Sequence, residues 1–335
     1  MKKKCLAIGI IILLFGMCVI PTNAKNIEKS QSILKGNWLY VGGDGPGNYS
    51  RIQDAIDNAS DGDTVFVFDD SSPYYENIVV GKSITIQGEN KNSTIIQGTN
   101  NTYGINITVD TVSIMGFTIQ NFSFGIYLTS NHNRISSNIF RENYCGIGTH
   151  YDNLSTSVPS YIGHNVITNN LIINNSNAIF GVSGWNNTIQ ENNISQNYMG
   201  ITLGAAFNTV VLVNHISENF IGVTVLTSYN TTLYHNHFSD NELGVLTYVT
   251  SADNILQNNF MRNNWSAMSH QRFLPKIKLD VPLRRNIWDG NYWDEQRSSP
   301  YMIPGVLMIA IFKVHVGVQV DWHPAQEPYD IPGLT

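Results

Sequence analysis

The sequence predicts an all-β protein folded as a single-stranded, right-handed parallel β-helix with coils of about 22 residues. The first observation is a repeated unit, N-x-(I/F)-x-x-N-x-x-(G/A)-(I/V), that contains two asparagines. The first asparagine recurs at Asn138, Asn170, Asn192, Asn214, Asn236, Asn258 and Asn286, and the second at Asn143, Asn175, Asn197, Asn219, Asn241, Asn263 and Asn291. Asparagine suits turns because it tolerates left-handed geometry, and its stacked side chains form hydrogen-bonded ladders.

The second observation is the period of the apolar residues. Within a unit they alternate, as in Ile201 and Leu203, which is the period of a β-strand. Between units they form two columns: Ile135, Ile167, Ile189, Val211, Leu233, Ile255 and Leu283, and Phe140, Ile172, Ile194, Ile216, Phe238, Phe260 and Trp288. One coil cannot bury these side chains alone, whereas coils stacked at a rise of about 4.8 Å can.

The first coil needs a cover, because the end of the stack exposes an open strand edge. Residues 25–77 are predicted to supply it with a short helix, since Ile52, Ala55, Ile56 and Ala59 fall on one side of a helical turn pattern. Strands are predicted at 78–80, 84–87 and 94–97.

The repeats are predicted to run over 78–293 and to end in a C-terminal cap over 294–335. In that cap, Val314, Val316, Val318 and Val320 alternate with polar residues or glycine, which predicts one strand that closes the stack.

Residues 1–24 are predicted to be a secretory signal peptide, with three lysines followed by a short apolar run. About 15 apolar residues are too few to span a bilayer, so no stable membrane span is expected after cleavage. We therefore expect a secreted or cell-surface protein with Cys145 as its one cysteine and no internal disulfide. Export permits N-glycosylation at sequons such as those of Asn48 and Asn92.

The charge of the chain argues against nucleic acid as a partner. The formal net charge is -6, and removal of Lys2, Lys3 and Lys4 with the signal peptide takes it to -9. No basic run remains that could contact a phosphate backbone.

The stretch "IQDAIDNASDGDTVFV", the repeated coils and the ending "GNYWDE" resemble the NosD-like, pectin-lyase-like β-helix proteins of archaeal and bacterial surfaces. The resemblance implies the fold over nearly all of the mature chain. That family mixes carbohydrate-active enzymes, adhesin-like surface proteins and an accessory factor of copper-enzyme maturation, so the resemblance leaves the activity open.

Two insertions interrupt the coils, between Ile147 and Ile167 and between Ala267 and Leu283, in the same segment of the coil. Between them, Trp185, Phe207 and Tyr229 recur at the coil interval. Aromatic rings at this spacing suit the faces of a polysaccharide, and long loops on a rigid scaffold commonly carry binding sites. The alternative is a packing ladder of rings that serves only the solenoid.

His215 and His237 occupy one column and are predicted to point outward, one above the other, with Glu218 and Asp240 stacked three residues on. Two imidazoles beside carboxylates can share a Cu or Zn ion. The alternative is a solvated histidine pair on a strand face.

Four residues are candidates for catalysis: the stacked acids Glu218 and Asp240, and His150 and Asp152 of the first insertion. Glycoside hydrolases need paired carboxylates, and lyases need a base near an acidic cluster. The paired aspartates and the Gly-His-Gly motif of polygalacturonases are absent from the sequence.

These observations favour an exported β-helix protein that binds a polysaccharide or surface glycan, or has an adhesin-like or structural role. A polysaccharide lyase or glycoside hydrolase is one alternative, and a NosD-like copper-handling accessory protein is another.

Overall fold

The computed structural model describes residues 36–99, 103–149, 162–248, 253–273, 286–297, 299–309, 312–314 and 319–331. All of them belong to one compact unit, Lys35–Thr335. The predicted signal peptide and the predicted catalytic candidates His150 and Asp152 lie outside the described residues.

The described residues form a short helix and a long series of strands. The N-terminal elements are β1 (Trp38–Val41), α1 (Ile52–Asn58), β2 (Thr64–Val67), β3 (Ile78–Val80), β4 (Thr85–Gly88), β5 (Ile95–Gln97), β6 (Tyr103–Ile107), β7 (Ser113–Met115), β8 (Thr118–Gln120), β9 (Phe124–Leu128), β10 (Arg134–Ser136), β11 (Ile139–Arg141) and β12 (Cys145–Thr149). The central ones are β13 (Val166–Thr168), β14 (Leu171–Ile173), β15 (Asn177–Trp185), β16 (Thr188–Gln190), β17 (Asn193–Ser195), β18 (Met199–Phe207), β19 (Val210–Leu212), β20 (His215–Ser217), β21 (Ile221–Leu226), β22 (Thr232–Tyr234), β23 (His237–Ser239) and β24 (Leu243–Tyr248). The C-terminal ones are β25 (Asn254–Leu256), β26 (Asn259–Met261), β27 (Trp265–Phe273), β28 (Ile287–Asp289), β29 (Tyr292–Trp293), β30 (Tyr301–Ile303), β31 (Gly305–Ile309), β32 (Phe312–Val314) and β33 (Gln319–Asp321).

Three long sheets run the length of the stack. Sheet A has the order β1-β2-β4-β7-β10-β13-β16-β19-β22-β25-β28-β33-β30, sheet B has β29-β26-β23-β20-β17-β14-β11-β8-β5, and sheet C has β3-β6-β9-β12-β15-β18-β21-β24-β27-β31-β32. In a regular coil the chain passes from sheet A to B to C and back to A, so each strand pairs in parallel with the equivalent strand of the next coil. The predicted parallel β-helix is confirmed.

The core is the space enclosed by the three sheets. Ile194, Ile216 and Phe238 follow one another in register on sheet B and are fully buried, as predicted. The aromatic end of this column is tightly stacked, with ring centroids 4.9 Å apart between Phe238 and Phe260 and 4.6 Å apart between Phe260 and Trp293. Each column therefore continues as one apolar strip along the molecule.

Asparagine ladders turn the corners between the sheets. Asn214 donates from its backbone N–H to Oδ1 of Asn236 at 3.0 Å, and its amide Nδ2 donates to the carbonyls of Ile189 and Leu212 at 2.9 and 3.0 Å. The left-handed residue is the one before the ladder asparagine, here Val213 at φ 54°. The predicted ladder is present, but left-handed geometry of the ladder asparagines is not its basis.

The register of the last coil differs from the predicted register. The backbone N–H of Asn258 donates to Oδ1 of Asn291, and that of Asp253 donates to Oδ1 of Asn286, so both predicted placements of Asn286 and Asn291 are wrong. Trp288 pairs with Ile255 in sheet A and not with Phe260. Asparagine ladders follow one another every five residues along the coil, so a shift of five residues preserves the pattern. Leu283, predicted to continue the Ile255 column, lies outside the described residues.

The N-terminal helix and strands are confirmed. Ile52, Ala55 and Ile56 of α1 are buried, and the Glu76 carboxylate accepts the first backbone N–H groups of the helix, from Ile52 at 2.8 Å and Gln53 at 3.1 Å. Strands β1 and β2 of this segment already pair in parallel within sheet A.

The other end differs from the single strand that was predicted. Val314 ends β32, which pairs antiparallel with β31 in sheet C, whereas Val320 lies in β33, which joins sheet A. Val316 and Val318 lie outside the described residues. The C-terminal segment thus supplies end strands to two sheets, A and C.

We expect Asn214→Ala to lower the free energy of unfolding by about 3 kcal/mol or more, because buried backbone groups of two neighbouring coils lose their partners. Chemical denaturation checks this result. The control Asn193→Ala removes an exposed asparagine from a nearby strand and should change stability by less than about 0.5 kcal/mol. Equal losses in the two variants would contradict a structural role for the ladder.

Candidate functional site

The candidate site lies at the corner where the chain leaves sheet C for sheet A. Trp185 ends β15 and is in register with Phe207, which ends β18, and Phe207 forms a backbone bridge to Tyr229. The rings of Trp185 and Phe207 stack with centroids 4.5 Å apart and planes 18° apart. Trp185 is 39% exposed, while Phe207 and Tyr229 are half-buried. We call these three residues the edge strip.

A polar row that the sequence reasoning missed runs directly beside the edge strip. It consists of one left-handed, exposed residue per coil: His132, His164, Asn186, Asn208 and Asn230. The two imidazoles stack with centroids 4.7 Å apart, and Asn230 donates to Asn208 at 2.8 Å. From His164 to Asn230 the residues of this row recur once per coil in the sequence, and this spacing is the signal that would have revealed the row. The row places hydrogen-bonding groups along one side of the rings.

Both predicted insertions open at this corner. The first follows Thr149 at the end of β12, and the chain returns at Gly163, which bridges to Trp185. The second follows Phe273 at the end of β27. Residues 150–161 and 274–285, which make up most of the insertions, lie outside the described residues.

The predicted histidine pair lies elsewhere, on sheet B. His215 and His237 are register partners with ring centroids 5.1 Å apart. His237 is only 8% exposed, and Asn259, next in the column, exchanges two hydrogen bonds of 2.8 Å with the backbone of Tyr329. The C-terminal segment therefore covers part of this face, which the sequence did not indicate.

Burial governs the protonation of both histidines. Desolvation lowers the pKa of His237 to about 4, helped by the charges of His215 and Arg262, and it also lowers the pKa of His215. Nδ1 of His237 has no hydrogen-bond partner among the described residues. Both imidazoles are neutral at pH 7.

The predicted acids Glu218 and Asp240 stack at the corner between sheets B and C, where both have left-handed geometry. Gln196 donates to Glu218 at 2.9 Å, and Arg262 donates to both oxygens of Asp240 at 2.7 and 2.6 Å. Hydrogen bonds and charge from Arg262 lower the pKa of Asp240. Asp240 is therefore an ionised partner of Arg262. Glu218 and Asp240 lie one coil apart, a separation close to the roughly 5 Å between the carboxyl groups of retaining glycosidases.

A second aromatic pair near these acids was also missed. Tyr198 and Phe220 are exposed, and their rings stack with centroids 4.8 Å apart and planes 5° apart. Neither lies beside the edge strip, because they occupy the opposite end of the sheet C strands.

Comparison with known proteins gives one family. The family model described as "Periplasmic copper-binding protein (NosD)" matches residues 56–297. No curated protein matches the sequence.

Similar solved structures share the fold at low sequence identity. The complex of XylC with xylose is 12% identical with a TM-score of 0.56, and the match covers 85% of this chain and 73% of that one. The tailspike protein of Acinetobacter baumannii phage AM24 is 13% identical with a TM-score of 0.51, over 73% of this chain and 48% of the tailspike. Pectate lyase Pel9A is 14% identical with a TM-score of 0.46, over 78% and 80% of the two chains.

The described residues do not fit a copper centre of three or more protein ligands. No group of three His, Cys, Asp or Glu side chains in the described ranges is placed to hold a metal ion. The pair His215 and His237 supplies two donors, and the Cys145 thiol is buried with a raised pKa.

The described part of the chain contains no apolar helix of sufficient length to cross a membrane.

We expect the stability of the protein to fall as the pH drops from 6.5 towards 4. In this window the unfolded chain protonates His237 while the folded chain keeps it neutral, so the unfolded state binds more protons. The variant His237→Asn, which carries the side chain found at Asn193 and Asn259 of the same column, should lose less stability over this window. Urea denaturation at several pH values checks this difference, with an expected size of the order of 2 kcal/mol. Identical pH profiles would show that His237 is not desolvated.

Proposed function

The chain belongs to the NosD family of β-helix proteins, and on that premise we propose that it is exported and binds a polysaccharide along the edge strip. The single observation that carries the proposal is the exposed, stacked ring of Trp185 in register with Phe207 and Tyr229.

The spacing of the edge strip supports a linear ligand that runs parallel to the stack. Successive rings are separated by one coil, about 4.8 Å, a distance close to the length of one sugar unit. Because the rings of Trp185 and Phe207 stack on each other, they offer a ligand mainly their exposed apolar edges, and the adjacent polar row offers amide and imidazole groups to the hydroxyls. The strip and the row therefore supply the two kinds of contact that a saccharide needs.

The rigidity of the scaffold supports the same proposal. The side chains rest on strands whose backbone is hydrogen-bonded on both sides, so a ligand meets them already ordered and little conformational entropy is lost on binding. The xylose complex of XylC, a protein of the same fold, is consistent with a sugar ligand.

The charge state and position of the predicted acids favour binding of the polysaccharide without cleavage. Of the predicted acids, Asp240 is held by Arg262 and its low pKa prevents it from donating a proton at neutral pH. Glu218 and Asp240 also lie at a different corner from the edge strip.

We expect Trp185→Ala to weaken polysaccharide binding about tenfold, and Trp185→Ala with Tyr229→Ala to abolish it, because the exposed aromatic contact surface is removed. The measurement is a glycan and polysaccharide array with residues 25–335, followed by analysis for released fragments, of which we expect none.

The control Trp265→Ala removes another tryptophan, 51% exposed and on sheet C, and should leave binding unchanged. Undiminished binding by the double variant would make the strip a packing ladder. Released fragments that disappear in Glu218→Gln would make the protein an enzyme.

A further inference from the structure

A second surface with exposed aromatic side chains lies at the N-terminal end of the stack, on the outer side of sheet A. Four aromatic side chains form a cluster there: Trp38, Tyr40, Phe66 and Phe68. Trp38 and Tyr40 are 47% and 41% exposed, and Phe66 lies between them with centroids 6.0 and 6.2 Å away. We call this cluster the N-terminal platform. An apolar surface of this kind on the outside of a strand has no part in the core.

A groove of about 600 Å³ adjoins the platform. Its lining includes Asp69, Gln87, Glu89, Asn90 and Lys91, which are polar or charged. A volume of this size holds one or a few sugar units.

The platform and the groove form one continuous surface. Tyr40, Phe66 and Gln87 are register partners on three successive strands of sheet A, so the side chain of Gln87 lies beside the ring of Phe66. Asp69 directly follows Phe68 in the chain and lines the groove. A ligand in the groove therefore meets the aromatic cluster at one end.

Two glycines that line the groove, Gly88 and Gly116, let the backbones of successive coils approach closely. A Cβ on Gly88 would lie 2.2 Å from the carbonyl oxygen of Gly116, and Gly116 itself has φ 83°. Neither position accommodates a side chain without a shift of the backbone, so the glycines fix the backbone geometry beneath the polar groups that line the groove.

The carboxylates of the groove are held in place before a ligand arrives. Ser93 donates its hydroxyl to Asp69 at 2.5 Å, and the backbone N–H of Asp69 donates to Oε2 of Glu89 at 3.1 Å. Each of these bonds engages one oxygen of its carboxylate, and the other oxygen can accept a hydroxyl or an ammonium group. Two carboxylates against the single ammonium of Lys91 disfavour an acidic ligand.

We infer that the groove and the N-terminal platform form a second saccharide-binding site, specific for sugars without acid groups. The rings stack on a sugar face while Gln87, Glu89 and Asp69 bind hydroxyl or amino groups. The site lies on other coils and at another corner than the edge strip, so it does not depend on the proposed function of that strip.

The test uses the protein with Trp185→Ala and Tyr229→Ala as background, so that binding at the edge strip is removed. Calorimetric titration compares neutral xylo- and manno-oligosaccharides, chitosan oligosaccharides and oligogalacturonates of roughly four to six units. We expect the neutral or the amino oligosaccharides to bind, and Gln87→Ala with Glu89→Gln to weaken that binding about tenfold. Tyr40→Ala should weaken it as well, because it removes part of the platform.

The matched control is Gln190→Ala with Glu191→Gln. Gln190 occupies the same outward column of sheet A several coils away, and Glu191 is the exposed acid that follows it. This control should bind as the background does.

The inference is overturned if none of the oligosaccharides binds the background, if the groove variant binds as tightly as the control, or if the acidic oligomers bind best. The edge strip is tested separately by Trp185→Ala in the otherwise unchanged protein, so the two sites can fail independently.

Discussion

The fold depends on the side-chain amide of the ladder asparagine. A corner that turns within a few residues leaves backbone N–H and C=O groups without strand partners, and these groups cannot be left unsatisfied inside a stack. At Asn219, Oδ1 accepts the backbone N–H of Asn197 in the neighbouring coil, while Nδ2 donates to the carbonyls of Ile194 and Ser217. One short side chain thus provides hydrogen-bond partners for the backbone groups of the corner. Because it joins neighbouring coils, it also fixes their register and their spacing.

The same constraint explains the rows of polar residues on the surface. Because the ladder asparagine points inward, the residue before it adopts left-handed geometry and points outward, once in every coil. One such row contains Glu218, Asp240 and Arg262, and another contains the imidazoles of His132 and His164. Rows of this kind are a product of the scaffold, so stacking alone is weak evidence for chemistry. Whether a stacked polar side chain is available for chemistry depends on its hydrogen-bond and ion-pair partners. The partner of Asp240 is Arg262.

The fold could be predicted from the sequence because the pattern repeats. A single short apolar segment does not define a strand or its register, but a column such as Ile194, Ile216 and Phe238, repeated in successive coils, does. It failed at the last coil, where asparagines five residues apart made two registers look alike. It also could not show that Asn259 contacts Tyr329, 70 residues away, or that His237 is buried. For the candidate site, the repeat placed Trp185, Phe207 and Tyr229 together, but their degree of exposure depends on packing that no periodicity encodes.

A regular stack also constrains the kind of function that it can carry. Equivalent side chains in successive coils are held at one spacing, so a ligand with a matching repeat gains several contacts from a single orientation. Catalysis needs the opposite arrangement, in which two or three unlike groups converge on one atom and their pKa values are driven apart. On the described coils the perturbed groups are spread along the faces or paired with each other, as are His215 with His237 and Asp240 with Arg262. The regular coils therefore offer a repeating ligand several equivalent contacts, as we propose for the edge strip.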